Sequence, residues 1–163
     1  MGEVLSFEDA LRRRAAARVL SQTFVFTNGC FDILHPGHIA LLHHAKRQGH
    51  YLLVGVNSDR SVRALKGAGR PAQRDEDRAT VLAALADVDG VFVFDEETPL
   101  RAIEALVPDV LVKGGDYKPQ DVVGRGVIEK AGGRVDIFPL VAAHSSSLLL
   151  GRAKEKAPAP RGG

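Results

Sequence analysis

Five short apolar runs, each parted from the next by a stretch of helical periodicity, constrain this chain more than any other feature. The runs are Thr23-Phe24-Val25-Phe26-Thr27, residues 51–56, Val91-Phe92-Val93-Phe94, Val110-Leu111-Val112 and residues 134–138. The run at 51–56 is continuously apolar, as a strand covered on both faces requires. Strands that alternate with helices predict a parallel sheet joined by right-handed crossovers, a doubly wound α/β domain of five strands.

The helical stretches carry their own punctuation. Ser6 followed by Phe7, Glu8 and Asp9 reads as a helix cap with acids in the first turn. That helix runs to about Leu20, so residues 1–22 form an N-terminal helical segment ahead of the domain at 23–155. Pro36-Gly37 opens a helix that stops near Gly49, and further helices are expected over 58–65, 75–85, from Thr98-Pro99 onward, over 124–131, and from Ser145 to about Lys154. Pro99 stands one residue inside its cap, where a missing N–H costs nothing. The tail at 156–163, rich in Pro, Ala and Gly, is expected to be disordered.

Composition removes several function classes. The 163 residues fit one domain, with 45% hydrophobic residues for a core. A net charge of +2 gives no electrostatic case for nucleic acid or for a membrane surface. Aromatics at 6% without Trp argue against a base-stacking platform. One Cys excludes an internal disulfide framework. No stretch approaches the roughly 18 apolar residues of a membrane span, and the first residues lack the apolar core of a signal peptide. The expectation is a soluble, cytoplasmic protein.

In a doubly wound sheet, ligands bind beyond the carboxyl ends of the strands. This places the loops at 28–38, 57–59, 113–119 and 139–147 on one rim. The first carries Thr27-Asn28-Gly29-Cys30-Phe31-Asp32-Ile33-Leu34-His35-Pro36-Gly37-His38. His35 and His38 bracket a helix start, so both rings can aim at a phosphate held by the helix end, and Gly37 leaves room for its approach. Such donors suit a pentacoordinate phosphorus whose equatorial oxygens gain charge. Two blander readings compete: a structural histidine pair, or zinc ligation by His35 and His38 with Cys30 or Asp32.

No P-loop occurs. Gly67-Ala68-Gly69-Arg70-Pro71-Ala72 matches Gly-x-Gly-x-x-Ala only formally, because it follows a helix. It reads instead as a basic loop in which Lys66 and Arg70 can close over anions. Lys113-Gly114-Gly115-Asp116-Tyr117 follows the fourth run, where paired glycines let a nucleotide lie against backbone; Asp116 could hold magnesium or a ligand hydroxyl. Ser145-Ser146-Ser147 supplies hydroxyls at the last helix start, for a phosphate or simply for capping.

Together these segments resemble the His-x-Gly-His nucleotidyltransferase superfamily, with its Rossmann-like fold. Within it they are most similar to the adenylyltransferases that form ADP-heptose. The likeness covers about residues 24–150 and is carried by the run from Thr27 to His38, by Val56-Asn57-Ser58-Asp59, Leu65-Lys66-Gly67 and Arg70-Pro71, and by Val112-Lys113-Gly114-Gly115-Asp116-Tyr117-Lys118-Pro119. Such enzymes occur alone or fused to a sugar kinase, and this chain, without a kinase portion, looks like the stand-alone form. The reaction implied is transfer of AMP from ATP to heptose 1-phosphate, with release of pyrophosphate and with magnesium as cofactor. The resemblance implies charge stabilisation by His35 and His38. It gives Asp32 a role with magnesium or the acceptor, and Lys66 and Arg78 a role with acceptor phosphate or pyrophosphate. Thr27, Asn28, Gly29, Cys30, Phe31, Gly37, Lys113, Gly115, Asp116 and Ser145 to Ser147 fall to the nucleotide, Asn57 to the substrate, and Asp32 with Asp116 to the metal.

The chain departs from the family in two places. Serines replace the Ser-Thr-Thr before the last helix, and Leu140-Val141-Ala142-Ala143 stands where related cytidylyltransferases have Arg-Thr-Glu-Gly. Two alternatives remain open at this level: a CTP-dependent cytidylyltransferase acting on a polyol or aminoalcohol phosphate, and a non-catalytic nucleotide-binding module. The resemblance admits a homodimer.

Overall fold

The computed structural model describes residues 1–139. Its strands are β1 (Glu3–Val4), β2 (Phe24–Gly29), β3 (Tyr51–Asn57), β4 (Gly90–Phe94), β5 (Val110–Gly114) and β6 (Arg134–Phe138). Its helices are α1 (Phe7–Val19), α2 (Pro36–Lys46), α3 (Asp59–Lys66), α4 (Asp75–Ala83), α5 (Leu100–Leu106) and α6 (Arg125–Lys130), with a single 3₁₀ turn at Pro119–Asp121. All strand pairings are parallel, and the sheet order is β1-β4-β3-β2-β5-β6.

The sheet therefore has six strands where the sequence reading counts five. The sixth is β1, two exposed residues added beside β4. Two positions are too few to show a period, so the pattern is silent there. The other elements fall within a few residues of expectation. Ser6 caps α1, its hydroxyl accepting from the Asp9 N–H at 3.1 Å. The helix expected from Ser145 and the tail lie outside the described residues.

Alternation along the strands sorts the core into two layers. Val25, Val54, Val56, Val91 and Val112 pack with Leu41, Leu42 and Ala45 of α2 and Ala79 and Leu82 of α4. On the other face, Phe24, Phe26, Leu53, Phe92 and Leu111 pack with Ala10 and Ala17 of α1, Ile103 and Leu106 of α5, and Ile128 of α6. The N-terminal helix thus forms part of one of the two layers over the sheet.

A buried charge cluster ties that layer down. Arg14 makes a two-pronged bond to Asp109, at 2.8 Å for each prong, and also donates to the carbonyls of Leu106 and Val107 at the end of α5. Asp109 in turn accepts the first N–H of β2, from Phe24, at 2.7 Å.

The chain leaves β2 toward β3 and β4, then crosses to β5 and β6 on the other side. The topological switch therefore lies between β2 and β5, and the loops that follow them part there.

Candidate functional site

A cavity of about 540 Å³ opens at that switch, over the carboxyl ends of the strands. Its floor is the loop leaving β2. Phe31, in this loop, holds a left-handed backbone with φ +45°, a conformation that a bulky residue adopts only under constraint. The turn delivers Asp32 inward and sets His35 as the extended residue before α2.

His35 and His38 stack face to face, with ring centroids 3.7 Å apart and planes 21° apart. Phe31 lies against His38 at 5.1 Å. Burial first, then the neighbouring His35 and the Lys66 cation, lower the His38 pKa from its ordinary 6.5 to about 4, while the Ile33 carbonyl pulls the other way. His38 is therefore neutral at pH 7 in the free protein, with its one N–H directed at the Ile33 carbonyl. The rings stand at the start of α2, where the helix dipole presents its positive end.

Lys113, at the end of β5, faces them across the switch and donates to Asn28 Oδ1. Burial lowers its pKa to about 8. Gly115 follows with φ +140°, and a Cβ there would sit 2.8 Å from the Tyr117 ring; the glycine is what allows the loop to turn beneath that tyrosine.

Asp32 is almost wholly buried and accepts N–H groups from Ala72 at 2.6 Å and Gln73 at 3.4 Å. Its other oxygen lies 2.7 Å from Arg70 Nε, close enough for an ion pair but without hydrogen-bond alignment. The basic loop between α3 and α4 is thus tied to the floor of the cavity.

Twelve of the residues singled out from sequence line this one cavity: Asn28, Gly29, Cys30, Phe31, Asp32, His35, Gly37, His38, Asn57, Lys66, Lys113 and Gly115. Three others are placed elsewhere. Thr27 is fully buried within β2. Asp116 is exposed and outside the lining, so it stands apart from Asp32 as a metal ligand. Arg78 lies beneath the floor with its side chain fully buried. It donates to the carbonyls of Cys30, Asn57 and Gln73 and pairs with Asp59 at 2.8 Å, so the structure makes it a brace for the loops, with no face toward a substrate. Ser145, Ser146 and Ser147 lie outside the described residues. Among the described residues no three His, Cys, Asp or Glu side chains gather to hold a metal, so the zinc reading finds no ligand set.

Sequence reasoning missed two walls. On the β5 and β6 side the lining includes Tyr117, Asp121, Val122 and Phe138; on the β4 side it includes Glu97, Thr98 and Pro99. Apart from Tyr117, the last residue of the Lys113–Tyr117 segment, neither wall carries a motif. The position of Glu97 and Thr98 directly after the β4 run, on the same rim as the other loops, was the available signal. Among the described residues no helix is long and apolar enough to cross a membrane.

Comparison with known proteins gives a consistent set of relatives. Residues 26–133 match the model of the cytidylyltransferase-like family. The chain is 54% identical over 151 residues to the bifunctional protein HldE of Mesorhizobium japonicum, covering 93% of this chain and 30% of that protein. It is 45% identical to the protein of the same name from Syntrophotalea carbinolica, covering 93% and 32%. The chain thus spans about a third of the length of these curated relatives. Among solved structures, a lipopolysaccharide core biosynthesis protein from Thermoplasma volcanium superposes with TM-score 0.59 at 28% identity, over 74% of this chain and 97% of that one. Pantoate-beta-alanine ligase from Francisella tularensis superposes with TM-score 0.62 at 14% identity, over 90% and 69%, a likeness of fold alone.

Proposed function

The chain belongs to the cytidylyltransferase-like family, and from that premise we propose that it transfers AMP from ATP to a sugar 1-phosphate, with D-glycero-D-manno-heptose 1-phosphate as the acceptor. The observation that carries this reading is the pair of stacked imidazoles at the start of α2, inside a cavity whose lining also holds Lys66, Lys113 and four glycines. In the proposed reaction an acceptor phosphate oxygen attacks the α-phosphorus in line. The bond to the bridging oxygen breaks, and pyrophosphate leaves with the electron pair. No covalent enzyme intermediate is needed, so catalysis rests on positioning and on stabilising the charge that grows on the equatorial oxygens.

His38, neutral in the free protein, takes up a proton as the triphosphate binds and presents its second N–H to that charge, and His35 stacks against it to fix the ring. The end of α2 adds its dipole. Lys113 meets the nucleotide from the β5 side, and Lys66 faces the acceptor or the departing pyrophosphate. Arg78 keeps the floor loop in register through the Cys30 carbonyl. Magnesium enters this proposal as a companion of the triphosphate. Asp32 would hold the ion only by exchanging its Arg70 partner, because its second carboxylate oxygen lies 2.7 Å from that guanidinium, and an ion there would neutralise phosphate charge. A cytoplasmic location and a homodimer go with the proposal.

The test is a pyrophosphate-release panel that crosses ATP and CTP with heptose 1-phosphate, glycerol 3-phosphate and phosphocholine. ATP with heptose 1-phosphate is expected to dominate. Clear CTP preference overturns the choice of donor, and tight ATP binding without turnover on any acceptor points to a non-catalytic module. His38→Ala is expected to lower turnover roughly 100-fold or more with the fold intact.

A further inference from the structure

Besides Asp32, which pairs with Arg70, two carboxylates line this cavity, Asp121 on the β5 side and Glu97 on the β4 side, and neither is in keeping with a site for anions. Lys66, Lys113, the two imidazoles and the end of α2 all favour phosphate, yet the loop after β4 brings a carboxylate, Glu97, and a hydroxyl, Thr98, into the same lining. A carboxylate beside phosphates is repelled by them, so its place has to be explained by something else that it binds.

The loop is held where it is. Its Glu96 carbonyl accepts the Ser61 hydroxyl at 2.8 Å and the Asn57 amide at 3.5 Å, and the Phe94 carbonyl accepts the Ser58 N–H at 2.8 Å. Pro99, next in the chain, is buried. These bonds leave the Asn57 amide occupied as a brace. They leave the Glu97 and Thr98 side chains outside the hydrogen bonds and ion pairs formed among the described residues, and both residues are exposed and line the cavity.

The wall also lies on the correct side. Lys113 and Gly115 approach from β5, whereas Lys66 and the 97–99 loop approach from β3 and β4, with the His35–His38 pair between. A nucleotide engaged on the β5 side, with its α-phosphorus at the imidazoles, leaves the β4 side to the acceptor.

We infer that Glu97 and Thr98 bind the hydroxyl groups of a polyhydroxy acceptor, a sugar or polyol phosphate whose phosphate lies toward Lys66. The inference rests on the reading of the chain as a nucleotidyltransferase and adds the pair of residues that selects the acceptor. A carboxylate takes two neighbouring hydroxyls at once, and a threonine hydroxyl both donates and accepts, a combination suited to a diol. A quaternary ammonium acceptor would call for an aromatic cage, and the tyrosine and phenylalanine at 117 and 138 stand on the opposite wall.

The experiment measures binding separately from turnover. Calorimetric titration of D-glycero-β-D-manno-heptose 1-phosphate is made into the full chain loaded with α,β-methylene ATP, for the parent, Glu97→Ala and Thr98→Val, with thermal melts as the folding control. Glu97→Ala is expected to weaken acceptor binding about 10- to 100-fold and Thr98→Val about 3- to 10-fold, with affinity for the ATP analogue unchanged. Acceptor affinities within twofold of the parent overturn the inference. So does an equal loss of nucleotide affinity, or a parent that prefers phosphocholine. A parent that binds the sugar phosphate, loses that binding in the variants, and yet releases no pyrophosphate from ATP overturns the proposed reaction and upholds the subsite.

Discussion

Replacing Arg78 with Met separates a brace from a substrate ligand. The guanidinium is fully buried and serves four acceptors: the carbonyls of Gln73 at 3.0 Å, Cys30 at 2.6 Å and Asn57 at 2.8 Å, and the Asp59 carboxylate at 2.8 Å. Methionine fills much of the same volume but satisfies none of them. Each abandoned buried acceptor costs about 1–3 kcal/mol before water or relaxation helps, and breaking a buried ion pair from one side costs about 3–5 kcal/mol. These figures overlap, because Asp59 is partly exposed and water can reach it. A net loss of about 4 kcal/mol is the expectation. At roughly 2–4 °C per kcal/mol for a chain of this size, the melting temperature falls by about 8–16 °C. Arg78→Lys keeps the charge but reaches fewer acceptors, and should recover about half of the loss. The assay is thermal unfolding followed by circular dichroism, with ATP affinity measured below the transition. Because the Cys30 carbonyl sits in the floor loop, affinity should fall along with stability. A variant that melts within about 3 °C of the parent and changes only the acceptor KM would refute the reasoning and return Arg78 to the substrate.

Two further outcomes follow from titrating groups. Unfolded His38 takes a proton near pH 6.5, and the folded protein resists it until about pH 4, so this group lowers stability as pH falls through that window. A bound triphosphate reverses the balance by favouring the cation. ATP should therefore bind with proton uptake and more tightly as pH falls from 7.5 toward 5.5, and calorimetry in buffers of different ionisation heat should detect it; proton-neutral binding across that range counts against the site. Burial pushes the Asp109 carboxyl up, but Arg14 and the Phe24 N–H outweigh it and hold the group below its ordinary range. Its contribution is present above about pH 4 and is lost as pH falls further. Asp109→Asn should lower the melting temperature at pH 7 by about 2–6 °C, since water reaches the partly exposed carboxylate, and by much less below pH 3.

The architecture was legible because β3 reads as one unbroken apolar run and because helical periods separate it from its neighbours. The floor of the site was legible for a chemical reason: two histidines bracketing a glycine at a helix start have few structural uses. Arg78 was assigned to the acceptor or pyrophosphate by resemblance alone; nothing in an acidic helix start marks an arginine as buried, and only tertiary packing brings three carbonyls around it. Asp32 reads as a free ligand in sequence, while the fold lays a loop from forty residues later across it. Thr27 is the last residue of the expected run, and β2 continues two residues past it, so Thr27 is enclosed within the sheet instead of opening the loop. Glu97 and Thr98 escaped because a carboxylate and a hydroxyl in a short connection have no spacing to recognise.

The way the sheet divides about its β2 seam has a bearing on how such enzymes diversify. In the proposed reaction the walls that meet donor and acceptor are connections from opposite flanks, with the turn that carries the imidazoles between them. Changes in the 117–123 segment and in the 95–99 segment need not disturb one another, nor the strands beneath. A lineage can accordingly change what one wall binds while retaining what the other binds, by substitution in one short stretch of chain.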